Sequence, residues 1–147
     1  MFTQDRDLMR RFFLAAWRKA RDGEPLEPLE RQIAEAVRAH PEYHDLFEHA
    51  DAAVGRDFLP EDGEGNPFLH LSLHLAILEQ VTTDRPPGIR DAYRRIAAQT
   101  GDAHEAEHRI MDCLAELIWE VQRYNRDPDE AAYLACVRRL AAGGGRA

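Results

Sequence analysis

Three pairs of histidines carry the residue types and spacing that could do chemistry in this 147-residue chain. The pairs are His40 and His44, His70 and His74, and His104 and His108. In a helix, residues four apart lie on the same face, with Cβ atoms about 5–6 Å apart. Two imidazoles at this spacing can bind one transition-metal ion, because each neutral ring offers a nitrogen lone pair.

The second pair lies in the most apolar stretch of the chain, NPFLHLSLHLAILEQ at 66–80. This stretch predicts a helix over 67–82 that is apolar on nearly every side, and such a helix is normally buried between neighbours. An unsatisfied buried imidazole costs roughly 1–3 kcal/mol. We therefore expect His70 and His74 to have hydrogen-bond partners or a metal.

A long helix is predicted over 103–124, with Asp102 at its start and the third histidine pair beside its apolar face. Glu107 falls at the centre of that face, where a carboxylate must be paired, protonated or bound to a metal. His44 and Glu48 form a further pair at i, i+4. The sequence thus predicts a metal site between the 67–82 and 103–124 helices, and the candidate ligands are His70, His74, His108, His104, His44, Glu107 and Glu48.

The ligand types also narrow the choice of metal ion. Imidazole nitrogens suit zinc, iron, nickel or copper, and we expect a transition metal with zinc and iron as the leading candidates. No organic cofactor is predicted. These motifs do not identify a catalytic residue, a reaction or a small-molecule substrate.

Two other metal-protein patterns are weaker matches. The string HEAEH at 104–108 fits the zinc-peptidase pattern H-E-x-x-H, but Asp102 and Glu105 have capping-box spacing, which explains Glu105 as a helix-start residue. The pairs at 44–48 and 70–74 look like hemerythrin spacings, and 105–108 is similar to the ferritin-type Glu-x-x-His. No second Glu-x-x-His occurs, which argues against a di-iron centre.

The competing hypothesis needs no metal. A buried histidine often serves structure by donating to a backbone carbonyl or a carboxylate. The chain would then be a structural or interaction protein that self-associates through an apolar helix face and whose histidines hydrogen-bond inside the core. The two hypotheses differ in one respect: a metal site predicts that the paired histidines point at each other.

Charge and composition exclude several classes of function. The net charge of −8, with acids and bases mixed along most segments, argues against a nucleic-acid or anionic-membrane surface. No apolar run approaches the roughly 18 residues of a membrane span, and the first residues lack signal-peptide layout. Cys113 and Cys136 form no CxxC motif and, we expect, no disulfide framework, which indicates a reducing, cytoplasmic setting.

Helical periodicity dominates the whole chain and no alternating strand pattern competes with it. Short connections predict an all-α bundle of five or six helices with mostly antiparallel neighbours. An acidic loop rich in glycine and proline is expected at about 55–65. The length suits one domain over 1–142, followed by a disordered tail at 143–147.

Five motifs are spread along the chain: HPEYH at 40–44, FLPEDG at 58–63, NPFLHLSLHLAILEQ at 66–80, RPPGIR at 85–90 and AEHRIMDCLAE at 106–116. Together they resemble the bacterial family known as domain of unknown function 1841, over almost the whole chain. The resemblance implies a small cytosolic bacterial protein in which the histidine pairs recur. It attaches the site hypothesis to all six paired histidines and implies no activity, substrate or partner.

Overall fold

The computed structural model of the protein describes residues 2–58 and 65–143, with side chains from Asp5 onward. The regular secondary structure in these ranges is all helical, which confirms the all-α class. The described residues form eight α-helices, more than the five or six predicted, and one 3₁₀ turn. They are α1 (Phe2–Arg21), α2 (Pro28–Arg38), the 3₁₀ turn (Pro41–Tyr43), α3 (His44–Glu48), α4 (Ala50–Gly55), α5 (Pro67–Thr83), α6 (Ile89–Thr100), α7 (Ala103–Tyr124) and α8 (Glu130–Ala141).

The higher helix count arises partly after His40, where the apolar pattern predicts one short helix. The chain forms the 3₁₀ turn and two short helices there instead. The break between α3 and α4 lies at His49, whose backbone is not helical (φ −116°, ψ 66°). Its ring Nδ1 donates to the Asp45 carbonyl at 2.8 Å, so the side chain offers the backbone an alternative partner at this point.

The chain divides into two compact units, which we call unit 1 (Met1–Ser72) and unit 2 (Leu73–Ala147). The boundary falls inside α5, so this helix starts in unit 1 and ends in unit 2. Each unit has buried apolar side chains of its own. The single domain over 1–142 stays a prediction.

In unit 1, α1 packs against α2 and α4. The buried Arg10 on α1 holds the end of α4, because its Nη1 donates to the carbonyls of Val54 (3.0 Å) and Arg56 (2.7 Å). The Arg10 guanidinium also lies 4.9 Å from the centre of the Phe68 ring on α5. The larger apolar side chains buried in this unit are Phe13, Leu14, Trp17, Ile33, Val37, Phe47, Val54, Phe68 and Leu71.

In unit 2, α6, α7 and α8 pack against one another, and Ile77 of α5 joins their core. Cys113 on α7 and Cys136 on α8 form a disulfide in this core. The expectation of cysteines outside any disulfide framework is therefore wrong. Helix packing brings the two thiols together, which neither their spacing nor the missing CxxC motif reveals, and the inference of a reducing setting loses its basis.

Side-chain caps fix the starts of the two helices that carry most of the candidate ligands. Asn66 Oδ1 accepts from the backbone amides of Phe68 (3.0 Å) and Leu69 (3.2 Å) at the start of α5. Asp102 Oδ1 accepts from the amide of His104 (3.1 Å) at the start of α7. Both caps confirm the predicted helix starts. Helix α7 has the predicted bounds, and α5 extends one residue beyond them.

The expected acidic loop and tail fall partly within the described residues. Residues 56–58 and 65–66 are non-helical, as expected at the two ends of the loop. Residues 59–64 of the loop and 144–147 of the tail lie outside the described residues. Within the described ranges, every helix is too short or too polar to cross a membrane.

Candidate metal centre

Three histidines come together in unit 2. His74 lies on α5, and His104 and His108 lie on successive turns of α7. Their ring centroids are 4.5 Å apart for His74 and His104, 4.8 Å for His74 and His108, and 4.3 Å for His104 and His108. Each ring offers a nitrogen within 4.8 Å of those of the other two. Three nitrogens bound to one tetrahedral ion would lie roughly 3.3 Å apart, so these atoms would have to move closer by up to about 1.5 Å to bind one ion.

The sequences of α5 and α7 explain the burial and placement of these three rings. Helix α5 is apolar on nearly every side, which buries His74 to 1% exposure. The Asp102 cap starts α7 just before His104, and the four-residue spacing then puts His108 on the same face. The imidazole of His74 therefore sits in a low-dielectric core, while His104 and His108 are half-buried.

Glu107 lies beside the three rings and is 7% exposed. Its Oε1 accepts a hydrogen bond from His74 Nδ1 at 2.8 Å, and its Oε2 accepts one from Tyr93 Oη at 3.3 Å. Burial raises the pKa of Glu107, and the nearby His104 and the Tyr93 hydrogen bond oppose the rise. Burial and the charge of Glu107 in turn raise the pKa of Tyr93 to about 12.

The hydrogen bond to Glu107 determines which nitrogen of His74 can bind a metal. A neutral imidazole that donates from Nδ1 carries its lone pair on Nε2. Metal-binding histidines commonly donate their other ring nitrogen to a carboxylate, which fixes the ring and makes it a stronger ligand. Glu107 has the position relative to His74 that this arrangement requires.

The other predicted ligands lie in unit 1. His70 on α5 faces His40, with their Nε2 atoms 3.0 Å apart. His44 donates from Nε2 to the Val37 carbonyl at 2.9 Å. Glu48 is exposed and forms an ion pair of 3.1 Å with Arg21. Of the seven candidates, the structure thus brings four together in unit 2, and their role as metal ligands stays a prediction.

Glu105, the potential base of the peptidase-like string, is largely exposed. Its Oε1 lies 3.6 Å from Nε of Arg109, and its Oε2 lies 4.0 Å from Nδ1 of His108. The cap of α7 involves the Asp102 side chain and the amide of His104. The side chain of Glu105 thus takes part in ion pairs at the surface of α7.

Sequence reasoning missed the part played by Tyr93. The helical pattern places it on the apolar face of the helix before α7, where it looks like a packing residue. The available signal was its hydroxyl group, because a buried tyrosine usually finds a hydrogen-bond partner for its polar end. The choice of Glu107 as that partner depends on how α6 packs against α7, which the pattern does not contain.

A family model described as "Domain of unknown function (DUF1841)" matches residues 5–139 of the 147. Neither a curated protein nor a solved structure matches the chain. The matched range covers all three histidine pairs, together with Tyr93 and Glu107. The family description names no activity, so the chemistry has to be argued from the site itself.

Proposed function

We propose that this chain, which belongs to the family described as "Domain of unknown function (DUF1841)", is a metal-binding protein whose ion is held by His74, His104 and His108. The hydrogen bond between His74 Nδ1 and the buried Glu107 carries the proposal. Burying an ionised carboxylate beside three imidazoles is costly without a cation, and a bound cation offsets that cost. In this proposal Glu107 orients His74 rather than binding the metal itself.

The ligand set favours zinc or iron(II). Three imidazole nitrogens suit either ion. Three protein ligands also leave a coordination position for water or a substrate atom, as in catalytic zinc sites. An ion with such a position can lower the pKa of bound water or polarise a carbonyl group. The site is therefore equipped for metal-dependent catalysis or for sensing the metal.

The alternative is a metal-free structural protein in which the same histidines hydrogen-bond within the core. The Tyr93–Glu107–His74 chain of hydrogen bonds is compatible with that role, since buried polar groups need partners. The two functions differ in what happens when the metal is removed or added. Metal binding requires stoichiometric uptake, whereas a structural network requires none.

Elemental analysis of tag-free protein, before and after reconstitution with Zn²⁺ or Fe²⁺, tests the proposal. We expect stoichiometric metal in the parent protein and a loss of that metal in His74→Ala, with helical circular dichroism retained. His49→Ala is the matched control, because His49 is exposed and its Nδ1 donates to the Asp45 carbonyl. Substoichiometric metal after reconstitution, or equal metal content in the parent and His74→Ala, would overturn the proposal.

A further inference from the structure

A second pair of imidazoles faces each other in unit 1. The Nε2 atoms of His40 and His70 are 3.0 Å apart, and their rings are nearly perpendicular, with an interplanar angle of 82°. We propose that His40 and His70 bind a second transition-metal ion through these two Nε2 atoms. This goes beyond the site assigned to His74, His104 and His108.

The hydrogen bonds of His40 direct its Nε2 toward His70. His40 is 2% exposed, and its Nδ1 donates to the Ala36 carbonyl at 2.7 Å. A neutral ring that donates from Nδ1 carries its lone pair on Nε2. Backbone carbonyls orient metal-binding histidines in this way, so His40 has the tautomer and the orientation of a ligand.

The separation of the two Nε2 atoms fits ligation. Metal–imidazole bonds of about 2.0–2.1 Å place two neighbouring nitrogens of one ion roughly 2.9–3.4 Å apart, depending on the angle at the metal. The observed 3.0 Å lies within this range. The distance between the two nitrogens therefore allows both to bind one ion.

Local structure holds both rings in place. The amide of His40 donates to the Val37 carbonyl at 2.9 Å where α2 ends, and the Tyr43 ring stacks on the His40 ring with centroids 5.1 Å apart. His70 lies in the first turn of α5, and its amide donates to the Asn66 carbonyl at 3.0 Å. The His40 ring, held by Tyr43 and by the Ala36 carbonyl, therefore has little conformational freedom to lose, which favours binding.

The small number of protein ligands indicates which metal ion would bind most tightly. They leave the remaining coordination positions to water or a small anion, so the affinity depends on the intrinsic strength of each metal–nitrogen bond. Among divalent first-row ions this strength is greatest for Cu²⁺. Cu²⁺ is therefore the probe of choice, and Zn²⁺ should bind the same pair more weakly.

The experiment uses the double change His74→Ala and His108→Ala as the background, because His104 and His108 alone still have the four-residue spacing that can bind one ion. Titration of this background with Cu²⁺ should show a single remaining equivalent, with electron paramagnetic resonance showing coupling to imidazole nitrogen. Adding His70→Ala or His70→Gln to this background should abolish that equivalent. Adding His49→Ala should leave it unchanged, and circular dichroism verifies the fold of every variant.

The possible outcomes separate the two proposals. A folded background variant that takes up no Cu²⁺ would overturn the inference for His40 and His70. So would a remaining equivalent that survives both substitutions of His70, since the ion would then lie elsewhere. Failure of the proposed function would instead appear as equal metal content in the parent and in His74→Ala.

A shared proton is the rival explanation for the 3.0 Å separation, with His70 Nε2 donating to His40 Nε2. Nitrogen-15 NMR of the metal-free protein reports which ring nitrogens carry protons, and the same sample can then receive Cu²⁺. Selective broadening of the His40 and His70 signals at the first addition to the background variant supports the inference. Unchanged signals through a full equivalent of Cu²⁺ would leave only the hydrogen bond and overturn it.

Discussion

His74 Nδ1 lies 2.8 Å from Glu107 Oε1, and both side chains are buried. This hydrogen bond joins the unit 2 segment of α5 to α7 across a largely apolar core. Burial raises the pKa of Glu107, so an ionised carboxylate at this position costs free energy when no cation is near. The cost is offset when a positive charge arrives next to His74, as it does when a metal ion binds.

Glu107→Gln removes the negative charge of this residue and keeps nearly the same side-chain shape. Glutamine keeps an oxygen that can accept from His74 but loses the negative charge, so we expect the Zn²⁺ affinity to fall about 10–100-fold. The metal-free protein should melt at the same or a higher temperature, because the neutral amide is cheaper to bury than an ionised carboxylate. Competition with a chromogenic chelator measures the affinity, and circular dichroism measures the melting.

Glu116→Gln is the control for this prediction. Glu116 is an exposed residue of the same helix, and its replacement should change neither the affinity nor the melting temperature. A loss of stability in Glu107→Gln without any loss of Zn²⁺ affinity would assign Glu107 a structural role instead.

Tyr93→Phe should remove one tyrosine ionisation step at high pH from the alkaline titration of the protein. The pKa of Tyr93 is raised to about 12, so the folded state holds this proton more tightly than the unfolded chain. The stabilisation is therefore fully present below the ordinary tyrosine pKa of about 10 and is lost as the pH rises through about 12. Phenolate absorbance measures the step.

Subtracting the Tyr93→Phe titration from that of the parent isolates Tyr93 from the other tyrosines. The difference curve should have its midpoint near pH 12, with circular dichroism recorded at each point to detect unfolding. A midpoint near the ordinary pKa while the protein is still folded would mean that the Tyr93 hydroxyl is not buried against Glu107.

Local sequence signals were enough to predict the helices that carry the site. Asn66 and Asp102 are side chains that cap helices on their own, so the starts of α5 and α7 could be predicted without tertiary information. The all-α class followed from helical periodicity in the same way. The break at His49 could not be predicted, because it depends on the backbone conformation of one residue between two apolar patterns.

The contacts within the candidate site depend on tertiary packing and were only partly predictable. Glu107 was marked by its position on an apolar face, a signal that needs no structure. Its pairing with Tyr93 requires the packing of α6 on α7, and the disulfide between Cys113 and Cys136 requires the packing of α7 on α8. Spacing along the chain contains neither relationship.

Asp84→Ala should weaken the junction between α5 and α6. Asp84 Oδ1 accepts from the amides of Arg90 (3.0 Å) and Gly88 (3.2 Å) at the start of α6. The bond from Arg90 is the main cause of the lowered pKa of Asp84. The stabilisation is therefore present above the ordinary carboxyl pKa of about 4 and is lost as the pH falls through the lower pKa of the folded state.

Thermal melting at several pH values tests this prediction. Asp84→Ala should melt below the parent at neutral pH, and the gap should narrow in strong acid to the part that alanine costs at a positive φ. Asp84→Asn keeps an acceptor and tolerates the positive φ of 54° at this position, so it should retain much of the stability with less dependence on pH. A gap between the parent and Asp84→Ala that stays constant down to strong acid would show that the carboxylate is not responsible.

Gly88→Ala should destabilise unit 2 for two separable reasons. The backbone φ of Gly88 is +104°, which L side chains rarely adopt, and an added Cβ would lie 2.5 Å from Nη2 of Arg138. We expect a loss of unfolding free energy of about 1–3 kcal/mol, measured by urea denaturation. Arg138→Ala in the same background removes the close contact and should recover only part of the loss.

Gly55→Ala provides the comparison for Gly88→Ala. An added Cβ at Gly55 meets nothing within 4 Å, and its φ is not positive, so alanine should be neutral or stabilising in helix α4. Equal losses at the two glycines would contradict the conformational argument. Full recovery by Arg138→Ala would show that the contact, and not φ, sets the cost.

The double change Cys113→Ser and Cys136→Ser should lower the stability of unit 2 and leave metal binding nearly intact. The disulfide links residues 23 apart, and closing a loop of this length stabilises the fold by roughly 3 kcal/mol through the unfolded chain. His104 and His108 precede Cys113 and lie outside the closed loop, so we expect Zn²⁺ affinity to change little.

Urea denaturation with and without a dithiol reductant provides the measurement. The reductant should lower the stability of the parent to that of the double variant and leave the variant unchanged. A parent protein whose stability does not respond to the reductant, with free thiols titrated in its unfolded state, would mean that the two cysteines are unpaired in solution.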